Sequence, residues 1–180
     1  LCEGNICATF SGLSKVYRAC GYRVGWVSFS GALKHSKDYL AALDLLAALR
    51  LCSNVPGQWA VQTALGGYQS IKQLCGPGGR LYESRSTVVE AVRKSPYLHL
   101  KKPHGAMYAF IGVNTELIKG FDDEAFALDF LEQEHVLVAP GSSFNTQYRD
   151  HFRITILPDA ETLVEVFKRM ERILKGMATK

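Results

Sequence analysis

The sequence lacks the marks of several large protein classes. No apolar run reaches the length of a membrane helix; "ALDLLAALRLC" is too short and has charged flanks. The first residues show no basic region followed by an apolar one, so no signal peptide is expected. There is no stripe of Lys and Arg interleaved with aromatics. With 21 basic and 17 acidic residues, the net charge of +4 is too mild and scattered for a nucleic-acid surface. No CxxC or Cys/His cluster has metal-ligand spacing, which excludes the common metal sites. Internal repeats and low-complexity segments are absent. The five cysteines, Cys2, Cys7, Cys20, Cys52 and Cys75, are odd in number and mostly in apolar surroundings. They are expected to be buried, reduced thiols of a cytoplasmic protein. There is also no initiator Met: the chain opens on "LCEGNICATF", as a truncated beginning would.

What remains is a composition ordinary for a globular protein, 47% hydrophobic and 21% charged. "ICATF" (6–10) predicts a buried strand and "YRVGWVSFSG" (22–31) a second. Between them lies Lys15, on a loop or short helix at a strand end, where sites of open α/β sheets tend to lie. Residues 32–50 predict a helix, apolar almost all round in its second half, as a buried or subunit-contact helix would be. Another is predicted from Pro56 to Leu74, with Trp59, Ala64, Leu65, Tyr68 and Ile71 on one face. "CGPGG" (75–79) is the clearest boundary. After it, Leu81, Arg85, Val88, Val89 and Val92 keep helical spacing. Strands are predicted at "YLHLKK", "AMYAFIGV", "VLVAPG" and "HFRITIL". Helices are predicted at "DDEAFALDFLEQEH", capped by Asp122 or Asp123, and at the C-terminus, capped by Asp159. The expected architecture is α/β over residues 1–75, then an α+β domain over 76–180.

Three cations carry chemistry by their context. Lys15 follows a strand and turn containing Ser11, Gly12 and Ser14; a primary amine held there can condense with an aldehyde. Arg23 stands eight residues on, between Gly21 and Gly25, and its fork matches phosphate oxygens. Arg153 lies inside the alternating strand "HFRITIL", with Phe152 and Ile154 on the other face. A mid-strand arginine there needs a partner or a cleft, and a carboxylate clamp is one use. His151 is expected to face away from Arg153, and His104 to be a turn residue.

"GLSKVYRACGYRVGW" resembles the lysine motif of the fold-type-I pyridoxal-phosphate aminotransferases, class I/II. "RLCSNVPGQWAVQTALGGYQSI", "GPGGRLYESR", "KPHGAMYAF", "VLVAPGSSFN" and "DHFRITILPD" resemble, in order and spacing, the bacterial glutamate–pyruvate (alanine) aminotransferases. The resemblance covers essentially all 180 residues. It implies that residues 1–75 are the C-terminal part of a pyridoxal-phosphate-binding large domain and residues 76–180 a small domain. It implies that Lys15 bonds the cofactor, that Arg23 binds its phosphate and that Arg153 binds the substrate α-carboxylate. Gly12 stands where many class I members have a phosphate-binding serine, so Ser14 or Ser11 is expected to substitute. Asn54 and Tyr108 are candidate site-lining residues; a helix cap and strand packing are their plainer readings. The implied substrates are an amino acid and a 2-oxo acid, alanine/pyruvate with glutamate/2-oxoglutarate, and the intact enzyme is expected to be a homodimer. In the family about half the enzyme precedes this lysine, so the isolated chain is expected to be inactive. The alternative is a truncated domain that serves only in folding, binding or dimerisation.

Overall fold

The computed structural model describes residues 4–178; Cys2 lies outside the described residues. The chain divides into two compact units, Leu1–Ile71 and Lys72–Lys180.

In the first unit, β1 (Ile6–Gly12) pairs antiparallel with β2 (Gly25–Gly31), in a register running from Ile6 opposite Gly31 to Gly12 opposite Gly25. Close approach at the open end requires glycine: a Cβ on Gly12 would lie 2.9 Å from the Val24 carbonyl oxygen. After β2, a 3₁₀ turn leads to α1 (Lys37–Leu49), followed by α2 (Val55–Gly66) and the short α3 (Ile71–Cys75), which the unit division cuts. The helix predicted over Pro56 to Leu74 is thus broken. Gly66 and Gly67 end α2, and the Gly67 backbone is extended.

The buried strand expected at residues 6–10 forms but is not buried. Two strands form the entire described sheet of this unit, so Phe10 is 78% exposed. The predicted apolar face of the second helix is open too, with Trp59 71% exposed and Leu65 and Tyr68 also exposed. Only Leu13 and Gly57 are buried among the unit's described residues. The thiol expectation fails with it. Cys7 is disulfide-bonded, and Cys20, Cys52 and Cys75 are free but exposed, because little packs over the elements that carry them.

The second unit has its own core. β3 (Leu98–Leu100), β4 (Tyr108–Val113), β5 (Ala139–Pro140) and β6 (His151–Thr155) form an antiparallel sheet in the order β3-β4-β6-β5. "VLVAPG" contributes only two strand residues, since a 3₁₀ turn begins at Gly141. Ala109, Ile111, Phe152 and Ile154 pack with residues of three helices, α4 (Arg80–Lys94), α5 (Asp123–Glu134) and α6 (Ala160–Ala178). Val88 and Val92, Phe126 and Phe130, and Leu163, Met170 and Leu174 are their inward residues.

The caps follow the sequence. Asp122 Oδ1 accepts from Ala125 N at 2.7 Å, and Asp159 Oδ1 from Thr162 N at 2.8 Å. Asp123 does different work: it is buried and accepts from Ser142 N at 2.7 Å, tying α5 to the turn after β5. At the other end of α5, the Glu134 carboxylate takes two bonds from Arg172 on α6, at 3.1 and 2.6 Å. That bidentate hydrogen bond holds the Glu134 carboxyl below its ordinary range.

These contrasts predict two outcomes. Phe130→Ala should cost about 3–5 kcal/mol of stability by far-UV circular dichroism in denaturant, whereas Phe10→Ala should change it by less than about 0.5 kcal/mol. A lowered carboxyl stabilises the fold above its unfolded-state value and loses that contribution as pH falls through the folded-state value. Arg172→Ala should therefore flatten the loss of thermal stability with acidification below the usual glutamate range. An unchanged pH profile would contradict that assignment.

Candidate active site

Of the first unit's candidate residues, Ser11 lies at the end of β1, Asn54 before α2, and Ser14, Lys15 and Arg23 on the twelve-residue connection from Leu13 to Val24. Leu13, 1% exposed, is its anchor: its N–H donates to Val24 O at 3.0 Å and its carbonyl accepts from Ala19 N at 3.1 Å. Lys15 lies just beyond this anchor, and its carbonyl accepts from Arg18 N at 3.1 Å to close a turn. The Lys15 side chain is exposed and, among the described residues, forms no ion pair or side-chain hydrogen bond. Ser11 and Ser14 flank it, the first exposed and the second half-buried.

Arg23 does not start a strand, as its sequence suggests, but precedes β2 in the left-handed region at φ 52°. Such a conformation costs a non-glycine residue of order 1–3 kcal/mol. The guanidinium donates to Cys20 O at 2.6 Å, and the Arg23 N–H reaches the same carbonyl at 3.3 Å. A bond from a charged donor contributes about 1.5–3 kcal/mol, enough to offset the strain.

Asn54 joins this segment to α2. Its Oδ1 accepts from Gly57 N at 3.1 Å, as an N-cap, and its Nδ2 donates to Tyr22 O at 2.8 Å. Gly57 is needed at that junction, since a Cβ there would lie 2.2 Å from Val24 Cγ2. Arg23, Trp26, Arg50, Ser53, Asn54 and Gln58 line an open cavity of about 690 Å³. Arg50, which closes α1, is the residue sequence reasoning missed. Its signal was the charge balance: residues 1–71 hold six basic and three acidic side chains, and residues 4–37 hold no acidic one.

The cavity brings Arg23 together with Asn54 and Arg50, but Lys15, Ser11 and Ser14 do not line it. Its lining includes no carboxylate. Two guanidinium groups without an acid suit a phosphate-bearing ligand; Lys15, whose primary amine can condense with an aldehyde, lies outside this cavity.

Arg153 and Tyr108 belong to the second unit. Arg153 is half-buried in β6, opposite Phe110 of β4 and Ala139 of β5. Phe152 and Ile154 face the core, as the alternation predicts. The guanidinium carbon lies 4.5 Å from the Tyr108 ring centre and 4.6 Å from that of Phe144. Ring faces stabilise a cation by roughly 0.5–2 kcal/mol without engaging its N–H donors. Among the described residues no carboxylate is paired with it, so the in-plane donors are left for a ligand. Phe144 is thus a second supporting ring that the sequence did not reveal.

His151 shares the face of Arg153, contrary to expectation: residues two apart on a strand point the same way. It stacks on Phe110 at 4.9 Å, and its Nδ1 lies 2.8 Å from Asp150 Oδ1. Burial raises the Asp150 carboxyl, but the His151 hydrogen bond and a backbone bond outweigh it and leave the value lowered.

Comparison with known proteins matches residues 3–170 to the family described as aminotransferase class I and II. The glutamate–pyruvate aminotransferase AlaA of Escherichia coli K12 is 46% identical over 168 residues, which is 93% of this chain and 42% of AlaA. An alanine aminotransferase of Mycobacterium bovis is 43% identical, over 94% of this chain and 39% of that protein. The crystal structure of an Escherichia coli aminotransferase superimposes with a TM-score of 0.91 at 44% identity, over 97% of this chain and 43% of that one. An alanine aminotransferase from Pyrococcus furiosus gives a TM-score of 0.87 at 33% identity, over 96% of this chain and 43% of that one. The chain therefore spans about 42% of the length of AlaA and aligns with part of the aminotransferase fold. The α/β chain that carries Lys15, Arg23 and Arg153 belongs to the class I and II aminotransferase family.

Proposed function

We propose that this chain supplies the lysine, one phosphate ligand and the substrate-carboxylate ligand of a transaminase, as part of a larger enzyme. The family is pyridoxal-phosphate dependent. The reaction would move an amino group between an amino acid and a 2-oxo acid, alanine/pyruvate with glutamate/2-oxoglutarate. In this reading residues 1–75 are the C-terminal part of a cofactor-binding domain and residues 76–180 a small domain. The enzyme would be a homodimer acting in the cytoplasm. The observation that carries the reading is the set of three ligand-ready cations: Lys15, whose side chain has no ion pair or hydrogen bond among the described residues, Arg23 fixed beside an acid-free cavity, and Arg153 held by ring faces.

Each residue has a separable role. Lys15 Nζ holds the cofactor and, when free, carries the proton taken from the substrate Cα. Arg23 holds the phosphate, with Ser11 and Ser14 as further hydroxyl donors and Arg50 adding positive charge. Arg153 grips the substrate carboxylate as a fork, and Tyr108 and Phe144 keep the guanidinium flat for that contact. When bound, pyridoxal phosphate supplies the electron sink that lets the Cα proton leave. Asn54 acts through position, by fixing the segment before Arg23 to α2.

A second reading is favoured by a different observation. α1 buries none of its residues, and its Leu45, Leu46 and Leu49 are exposed. By that reading the chain is a catalytically inactive module that folds with, binds or dimerises through another polypeptide.

Reductive trapping separates the two. The chain is incubated with pyridoxal phosphate, reduced with borohydride and digested, and the modified lysine is identified by mass spectrometry. The proposal expects the label on Lys15, lost in Lys15→Ala and reduced about tenfold or more in Arg23→Ala, the worth of a charge-assisted bond. Label spread over surface lysines and unchanged in Lys15→Ala would favour the inactive module.

A further inference from the structure

Arg85, on α4, has a buried donor that nothing answers. Its Nε is buried and has no hydrogen-bond partner among the described residues. Nor is its guanidinium paired with a carboxylate among them; its carbon lies 5.3 Å from the Tyr82 ring centre. An unanswered buried donor is costly, more so when charged, so native structures leave few of them. Water, an ion or a ligand is the usual answer.

The surroundings favour a ligand. Tyr82 and Arg85 line a cavity of about 180 Å³ together with Leu81, His104, Met107 and Ile156. No acidic residue lines it. Ala106, also at the cavity, is held in the left-handed region at φ 60°, a strained position of the kind that gathers at binding sites. One end of the lining is cationic and can donate hydrogen bonds, and the rest is apolar. Water would leave the side chains of Leu81, Met107 and Ile156 wetted. An inorganic anion would leave them uncovered.

We propose that this cavity binds a small organic carboxylate of about five to eight heavy atoms, near the space of six waters at roughly 30 Å³ each. The carboxylate would answer Arg85 with His104 as a second donor, and its short carbon chain would cover the apolar wall. The site is not the Arg153 clamp. Ile156 belongs to the core cluster with Phe152 and Ile154, whereas Arg153 points to the opposite face of β6. It goes beyond the transaminase reading and stands if that reading fails, because its test needs neither cofactor nor turnover.

Cys75, an exposed free thiol, lines the cavity and reports on it. The whole chain is alkylated with iodoacetamide in the presence of pyruvate, propionate or inorganic phosphate, and the rate at Cys75 is read by mass spectrometry. Cys20 and Cys52 serve as internal controls. Saturable protection of Cys75 by pyruvate and propionate is expected, at least fivefold, with both controls unchanged. Arg85→Met should abolish it. Arg85→Lys, which keeps the charge and the stem but loses the fork, should weaken it at least fivefold and guards against a folding failure in the first variant. His104→Ala, in an exposed segment, should weaken it severalfold. Absence of protection, equal protection in Arg85→Lys, or protection by phosphate alone would overturn the proposal.

Discussion

Uncompensated positive charge on one short connection organises the first unit. Lys15, Arg18 and Arg23 occupy the twelve residues between β1 and β2, and no carboxylate lies among residues 4–37. The described part of the unit contains no ion pair. Repulsion among such groups is modest in water, about 1 kcal/mol at 4 Å, but no ion pair among the described residues relieves it. The connection is held instead by backbone bonds, from Leu13 to Val24 and to Ala19, and by the Arg23 bond to Cys20. That last bond also offsets the left-handed backbone at Arg23.

The two units differ in how far they satisfy themselves. The second closes a core of aromatic and aliphatic residues between sheet and helices, and some of its charges are paired, as Glu90 with Arg93 and Glu134 with Arg172. Among its described arginines without an ion pair, Arg153 and Arg85 stand out. Arg153 is stabilised through its faces by two rings, and Arg85 is left with a buried Nε. Among its described residues the first unit buries only Leu13 and Gly57 and pairs no charge. At roughly 25 cal/mol per Å² of apolar surface removed from water, side chains such as Phe10 and Trp59 contribute little to stability as they stand. Their worth lies in whatever covers them.

Much of this was legible in the residues. Arg153 could be read from period-two alternation, because a single cation among Phe152 and Ile154 breaks the pattern. Lys15 and Arg23 were legible as a spacing, and Asp122 and Asp159 as caps. Burial was not legible where it depended on a neighbour: "ICATF" has the composition of a buried strand, yet only one strand pairs with it. Arg85 was hidden because its helical spacing with Leu81, Val88 and Val92 reads as part of an ordinary inward stripe. Arg50 was hidden behind the apolar run of α1, and its relation to Arg23 depends on a turn that brings distant residues to one cavity. His151 lies on the face of Arg153 because residues two apart on a strand point the same way.

In the proposed function, Lys15 is the lysine of a working transaminase once the remainder of such an enzyme is supplied. The direct test replaces the matching segment of Escherichia coli AlaA with this chain and follows amino transfer from alanine to 2-oxoglutarate. The account predicts a folded chimera that binds pyridoxal phosphate and transfers the amino group, with Lys15→Ala slowing transfer on the order of a thousandfold or more while the fold persists. A folded chimera without transfer, or one whose rate ignores Lys15→Ala, would contradict it.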